Sequence, residues 1–532
     1  MAYRHKAWIC HGIVVLLWLR LGTLMSERSV SWQRKVLALC GIGLSGLLIR
    51  LYALGTCGLR GQGPLRRMLG MGAREYRVGG TVAPGWELVR EAFCRNFDLG
   101  LETAAQLCVY QSGVRVVDLY GSLVRRPSSV DYDGDSLQVV MSCSKVLESL
   151  AVAIAVDKGL LEYDKPIAYY WPDFASQHPN DSTDRDTPSK SAVTVGDLMR
   201  HQAGLSSFDE LVTHRDLREA NSTDSPIRHK IERSGIKFPR RTQRAYHAVS
   251  RGLVVNELLK RVDPDRRTVG RYLQEMIAGP LGVADECHIG TLPERSDGRV
   301  EPTVIARLTE IVPQLICAGV AQLLGIGPPS EANPFRVSRQ QRARLSALSN
   351  PSHFQMVMFR CIKPDILHVV NKPWFHRVEL PSANGVSSAR ALSRIAACLA
   401  AGGELDGQQI ISADGLRRAL ADSEPAFDEG LEQDTQNTAA GFTDFSPPSW
   451  ATAGAASGLE SGEHPLEGFL GWGGIGGSLL AFNPRDALGV AYCPAGHGIP
   501  LWCTYGMTDP RCLRLMQAVH TCKGANAKLA RL

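Results

Sequence analysis

The sequence predicts an α+β fold: an antiparallel sheet built from both chain ends, flanked by helices, with a helical region inserted at about 150–380. Three observations predict it. β-rich runs occur early, at Leu107–Tyr110 and Val114–Tyr120, and again late, at Gly476–Phe482 and Leu488–Tyr492. The stretch between them carries apolar residues at helical spacing, as in Ala248–Val262 and Val269–Ile277. The 532 residues are 44% hydrophobic and 21% charged, an ordinary globular composition with enough chain for a sizeable core.

Taken in order, globular signals begin near Val78. Trp86–Phe97 has apolar residues at helical spacing. The two early β-rich runs flank Gln111-Ser112-Gly113, which reads as a hairpin turn. A third run, Leu137–Met141, leads directly into Ser142. From Ser142 to Lys158 the apolar positions again follow a helix, with Gly159 as its stop. Val195–Arg200 resumes a helix, and residues 219–245 are polar with little periodicity. Thr435–Glu467, rich in Thr, Ala, Ser, Gly and Pro, reads as an insertion or flexible loop. Leu513–Thr521 reads as a closing helix.

The formal net charge of +6 is unevenly spread. Residues 1–74 carry eleven basic side chains and one acid, so that segment is +10 and the remainder is −4. A mildly acidic body, 75–532, implies no nucleic-acid partner. Within the basic head, Val36–Ile49 gives fourteen uncharged residues before Arg50. With Arg50 snorkelling, Val36–Leu54 approaches the roughly 20 residues of a membrane span. The head is therefore expected to anchor the protein, by a single pass or an N-terminal anchor, in a mitochondrial or secretory-pathway membrane; the other reading is a removable targeting segment. The 14 cysteines show no zinc-type spacing, and no cofactor or metal is expected.

Chemistry enters at Ser142-Cys143-Ser144-Lys145. At the start of a helix, Ser142 and Lys145 fall on one face one turn apart, beside unpaired N–H groups that favour developing negative charge. An enclosed lysine can be uncharged and take a proton from the hydroxyl. Ser234-Gly235-Ile236-Lys237 has the same spacing, but it lies in a polar loop before Phe238-Pro239 with no helical period. That copy is set aside. No Gly-x-Ser-x-Gly elbow, phosphate loop or dinucleotide fingerprint occurs.

Five further segments agree in order with a known family. They are Thr81–Glu87, Val193–Leu205 (VTVGDLMRHQAGL), Arg244–Leu253 (RAYHAVSRGL), Pro381–Arg390 (PSANGVSSAR) and Gly471–Pro484 (GWGGIGGSLLAFNP). With Met141–Leu147, they resemble the serine β-lactamase and penicillin-binding-protein superfamily, in particular its class C-related branch, which includes β-lactamase-like carboxylesterases. The resemblance covers nearly all of residues 78–525. It implies the β-lactamase/transpeptidase-like fold. It also implies Ser142 as nucleophile, Lys145 as its activator and Tyr246 as proton shuttle to the leaving group. The backbone N–H groups of Ser142 and Ile475 would form the oxyanion hole, and Trp472, Gly473 and Gly474 would line the substrate. His201 and His247 would orient or pack rather than react.

Two departures bear on substrate. Tyr246-His247-Ala248 stands where β-lactamases have Tyr-x-Asn, so the third side chain offers no amide. Trp472 stands where the family usually has a cationic or ionisable residue suited to a carboxylate. Both favour a neutral, partly apolar small-molecule ester or amide, cleaved through an acyl-enzyme on Ser142. The alternatives are a β-lactamase or peptidase activity, and a catalytically silent membrane-anchored scaffold.

Overall fold

A computed structural model describes residues 75–99, 101–126, 128–176, 189–222, 224–238, 241–304, 362–363, 366–431, 433–446, 465–495 and 509–529. Three early strands, β1 (Tyr76–Val82), β2 (Ala104–Gln111) and β3 (Val114–Leu123), share one sheet with six late ones. The late strands are β4 (Glu424–Asp428), β5 (Gln433–Asn437), β6 (Thr443–Asp444), β7 (Leu470–Gly473), β8 (Leu479–Asn483) and β9 (Leu488–Pro494). The spatial order is β1-β3-β2-β9-β8-β7-β6-β5-β4, antiparallel throughout. The two chain ends meet where β2 pairs with β9, with Val109 opposite Val490.

Alternation along these strands divides the core in two. Leu107, Val109, Leu479, Ala481, Val490 and Tyr492 face one way, onto helices α1 (Glu87–Asp98) and α5 (Pro510–Leu529) through Val89, Phe93, Phe97, Leu515 and Val519. Cys108, Tyr110, Leu480, Phe482, Ala491 and Cys493 face the other way, into the larger core. That core contains α2 (Ser144–Asp157), α3 (Ser250–Val262) and α4 (Ala389–Ala400). Burial of each large apolar side chain stabilises the fold by roughly 1.5–3 kcal/mol. Every residue of α2 from Ser144 to Val156 is buried, the signature of a central helix rather than a surface one. The β2–β3 turn is the expected short one, with Ser112 and Gly113 both at positive φ (50° and 79°).

Three expectations are corrected. The β-rich run before Ser142 contributes only Gln138–Val139, and it pairs with Val386–Ser387 in a separate small sheet. The stretch 219–245 holds a helix, Pro226–Arg233, capped by Ser225 with proline in its first turn. The start of the stretch read as an insertion or flexible loop holds the end of β5 and all of β6 in the main sheet, while 447–464 lie outside the described residues. A fourth correction concerns location. No helix among the described residues is long and apolar enough to cross a membrane, so the membrane-anchored location does not stand. The basic head on which it rested lies outside the described residues, and its longest uncharged run, fourteen residues, falls short of a span.

Candidate active site

The chain turns sharply ahead of α2. Val140 N–H donates to Gly385 O at 2.8 Å, and Met141 takes a left-handed φ of 49°. Met141–Cys143 then form one 3-10 turn before the α-helix opens at Ser144. Ser142 thus sits in the turn before the helix. Its neighbours are tied into the walls. Cys143 Sγ lies 3.4 Å from both Trp472 O and Ser478 Oγ, and Ser144 Oγ accepts from Gly385 N at 2.8 Å. Ser142 is half-buried, and its Oγ accepts a 2.7 Å hydrogen bond from the Tyr246 hydroxyl.

Tyr246 comes from the irregular segment before α3 and is held from several sides. Its backbone N–H donates to buried Asp428 Oδ1 at 3.0 Å. Its ring stacks on Trp472 at 5.7 Å and 19°, and His201 meets its edge at 5.1 Å. His247 Nε2 accepts from Leu205 N at 3.0 Å while Nδ1–H donates to Ala245 O, which fixes a neutral tautomer. Burial pushes the His247 imidazole down to about 3. His201 Nδ1 accepts from His247 N at 3.1 Å, and burial lowers that imidazole as well. Both rings are buried neutral props within this cluster.

Lys145 is fully buried at the start of α2. Its Nζ donates to Ala248 O at 2.7 Å and Ser382 O at 2.9 Å, and lies 4.8 Å from the centre of the Tyr246 ring. Among the described residues, neither of its hydrogen bonds goes to Ser142 Oγ. Tyr246 is the group in contact with the serine. Burial holds the Lys145 amine well below the usual lysine range, and the Arg251 guanidinium pushes it further the same way. Ala248, without a side-chain amide, contributes its carbonyl to this lysine instead.

The facing wall is β7. Trp472 is only 2% exposed, and its indole lies among Tyr246, His201 and Arg251, the last 5.6 Å from the ring. Gly473 pairs with Leu479, and Gly474 N–H donates to Ser478 O at 2.8 Å. A Cβ on Gly474 would stand 2.7 Å from Val140 O and 3.3 Å from Met141 Cβ, so this turn abuts the turn that carries Ser142. Ile475 follows it, and buried Arg511 donates to Gly476 O at 2.6 Å.

The structure therefore gathers Ser142, Lys145, Tyr246 and Trp472, with Gly473, Gly474 and Ile475 on the adjoining turn. Among the described residues no group of three or more His, Cys, Asp or Glu side chains could hold a metal ion. The duplicate Ser234–Lys237 motif forms no site: Ser234 Oγ donates to Lys230 O at 2.6 Å, and Lys237 pairs with Asp209. Sequence reading missed Glu148, Arg251, Ser382 and Asp428, the polar groups directly behind the site. Arg251 and Ser382 lay inside segments singled out for other reasons.

A nine-stranded antiparallel sheet with α2 planted behind its facing strand is the β-lactamase/transpeptidase-like fold. The chain belongs to the beta-lactamase family, whose model matches residues 95–496. It is 30% identical over 341 residues to the esterase/beta-lactamase LipL of Mycobacterium tuberculosis, covering 63% of this chain and 67% of that one. Among solved structures it is similar to a family VIII carboxylesterase, with 26% identity, a TM-score of 0.62 and coverage of 84% of this chain and 100% of that one. A penicillin-binding-protein homologue from Caulobacter crescentus matches with 28% identity, a TM-score of 0.59 and the same coverages.

Proposed function

We propose that this protein is an esterase-type serine hydrolase that cleaves a neutral carboxylic ester, or amide, through an acyl-enzyme on Ser142. The observation that carries the reading is the 2.7 Å bond between the Tyr246 hydroxyl and Ser142 Oγ, with the buried Lys145 amine beside the same ring. An uncharged Lys145 accepts, through Tyr246, the proton of the serine hydroxyl as Oγ attacks the substrate carbonyl. The negative oxygen of the tetrahedral adduct is received by the N–H groups of Ser142 and Ile475. Collapse breaks the bond to the leaving group, and the proton passes back through Tyr246 onto that alcohol or amine. Water then attacks the acyl-enzyme by the same relay, releasing the acid and restoring Ser142.

Trp472 supports the neutral substrate. An indole presents an apolar face where a cation would be needed to pair a carboxylate. The relatives named esterase/beta-lactamase and family VIII carboxylesterase support an esterase-like hydrolase. A fluorophosphonate probe, with Ser142→Ala as control, tests the nucleophile: a Ser142-dependent adduct is expected, and its absence would leave a catalytically silent fold. Turnover of short-chain p-nitrophenyl esters beside a chromogenic cephalosporin tests the substrate class. Faster cephalosporin hydrolysis would replace the esterase reading with a β-lactamase one.

A further inference from the structure

Behind Lys145 lies a closed circuit of buried polar groups. Lys145 Nζ donates to Ser382 O at 2.9 Å. Ser382 Oγ donates to Glu148 Oε2 at 2.6 Å and accepts from Gly252 N at 2.9 Å. Arg251 Nε donates to Glu148 Oε1 at 2.8 Å, both side chains being 0% exposed. Arg251 also donates to Lys145 O at 3.2 Å, Ser149 Oγ at 3.3 Å, Met199 O at 3.1 Å and Gly441 O at 3.3 Å. The circuit returns to the residue where it began.

The hydrogen-bond count at Nζ is informative. A neutral amine has two N–H donors and one lone pair, whereas an ammonium has three donors and no acceptor. Two carbonyls, Ala248 O and Ser382 O, take two donors, as many as a neutral amine has, and the Tyr246 ring centre lies 4.8 Å from Nζ. The carboxylate on the lysine's own helix, Glu148, has both oxygens committed elsewhere. The other titratable groups facing Lys145 are Cys143, Tyr246, His201 and His247, and burial holds the cysteine and both histidines uncharged.

We propose that Arg251 is a positioning residue for Ser142 activation: by occupying Glu148 it denies Lys145 an ion-pair partner and so keeps that amine uncharged and aimed at the tyrosine. Arg251 touches neither nucleophile nor substrate. Glu148 without Arg251 would be an unpaired carboxylate one helical turn from the amine and would draw a proton onto it. The inference rests on the proposed role of Lys145 as base. Its charge state can be read without turnover.

The test is a pH titration of Lys145 followed by its ¹³Cε NMR shift in lysine-labelled full-length protein, assigned by Lys145→Met, beside the pH profile of Ser142 phosphonylation by the fluorophosphonate, in which fluoride leaves. A base works only uncharged, so phosphonylation rises with pH through the lysine midpoint, and a raised midpoint moves that acid limb upward. Arg251→Met is expected to raise both by about one pH unit or more, about tenfold in rate below the midpoint. Arg251→Lys should restore most of the shift. The double variant Arg251→Met/Glu148→Gln, which leaves no orphaned charge, should lie between wild type and Arg251→Met. If Arg251→Met does not fold, Glu148→Gln takes its place: the unpaired guanidinium should move the midpoint down. An amine midpoint unmoved in folded Arg251→Met, or in Glu148→Gln where that stands in, overturns the inference while wild-type labelling of Ser142 stands. Absent wild-type labelling overturns the esterase reading and, with it, Arg251's part in Ser142 activation; a shifted amine then stands only for control of the Lys145 charge.

Discussion

Asp428 holds Tyr246 by its backbone: the aspartate Oδ1 accepts from Tyr246 N at 3.0 Å and also from Gly430 N at 2.9 Å and Leu431 N at 3.0 Å. The tyrosine that meets Ser142 is thereby fixed to β4, the edge strand of the main sheet. Burial raises the Asp428 carboxyl to about 6, against the three N–H donors that oppose the shift. A carboxyl raised on folding binds its proton more tightly in the native state than in the unfolded one. Its stabilising contribution is full below about 4 and is lost as pH rises through about 6. Asp428→Asn keeps an oxygen for the three donors and removes the charge. Its stability relative to wild type should improve between pH 4 and 7, by up to about 3 kcal/mol, in denaturant midpoints. Asp428→Ala frees Tyr246 and should lower kcat about tenfold or more, while Asp428→Asn stays within a few-fold. Equal losses in the two variants would show that the hydrogen bonds do not position the tyrosine.

Removing only the hydroxyl of Tyr246 tests the relay itself. Tyr246→Phe retains the ring that stacks on Trp472 at 5.7 Å and loses the 2.7 Å bond to Ser142. A general acid–base group is worth about 100- to 10,000-fold, so kcat should fall within that range with the thermal midpoint nearly unchanged. A loss under about threefold would assign proton transfer to Lys145 acting directly.

Legibility tracks how local each signal is. The β2–β3 hairpin declares itself by two β-rich runs around a short glycine turn, and α2 by apolar residues at helical spacing, although β2 and α2 are each buried nearly all round. β4 is the edge strand and β5 lies beside it; both are largely polar, so neither shows an apolar alternation to read. Helix Pro226–Arg233 carried a usable signal, serine cap then proline, in a stretch otherwise too charged for periodicity to show. At the site, Ser142, Lys145, Tyr246 and Trp472 lie in ordered family segments. Arg251 meets Glu148 across 103 residues and Glu148 meets Ser382 across 234, pairings that no spacing rule encodes.

Gly474 tests the fit between the β7 turn and the turn that carries Ser142. An alanine Cβ there would lie 2.1 Å from Ser478 Oγ, which can rotate, but 2.7 Å from Val140 O, which is backbone. The turn carrying Ser142 must shift to relieve the contact. Gly474→Ala should cost activity more than stability, with kcat/KM down about 100-fold for a displacement near 1 Å and a thermal midpoint only a few degrees lower. A parallel loss of both, with residual activity tracking the folded fraction, would make the glycine a packing requirement only.

Trp472 should decide the charge of the accepted acyl group. Among the described residues, the two basic side chains that face its indole are both committed: Arg251 pairs with Glu148 at 2.8 Å, and Lys145 bonds to two carbonyls. A substrate carboxylate placed beside the indole would be desolvated without a free cation to receive it. The expected outcome is a kcat/KM for p-nitrophenyl butyrate at least tenfold above that for the matching mono-ester of a dicarboxylic acid. Trp472→Phe, which keeps an aromatic stack on Tyr246, should preserve that ratio. Trp472→Ala should lose about 3–5 kcal/mol of stability from the cavity it leaves. It should also narrow the preference, because water can then reach an acyl carboxylate. Equal wild-type turnover of the neutral and anionic esters would show that the indole does not select substrate charge.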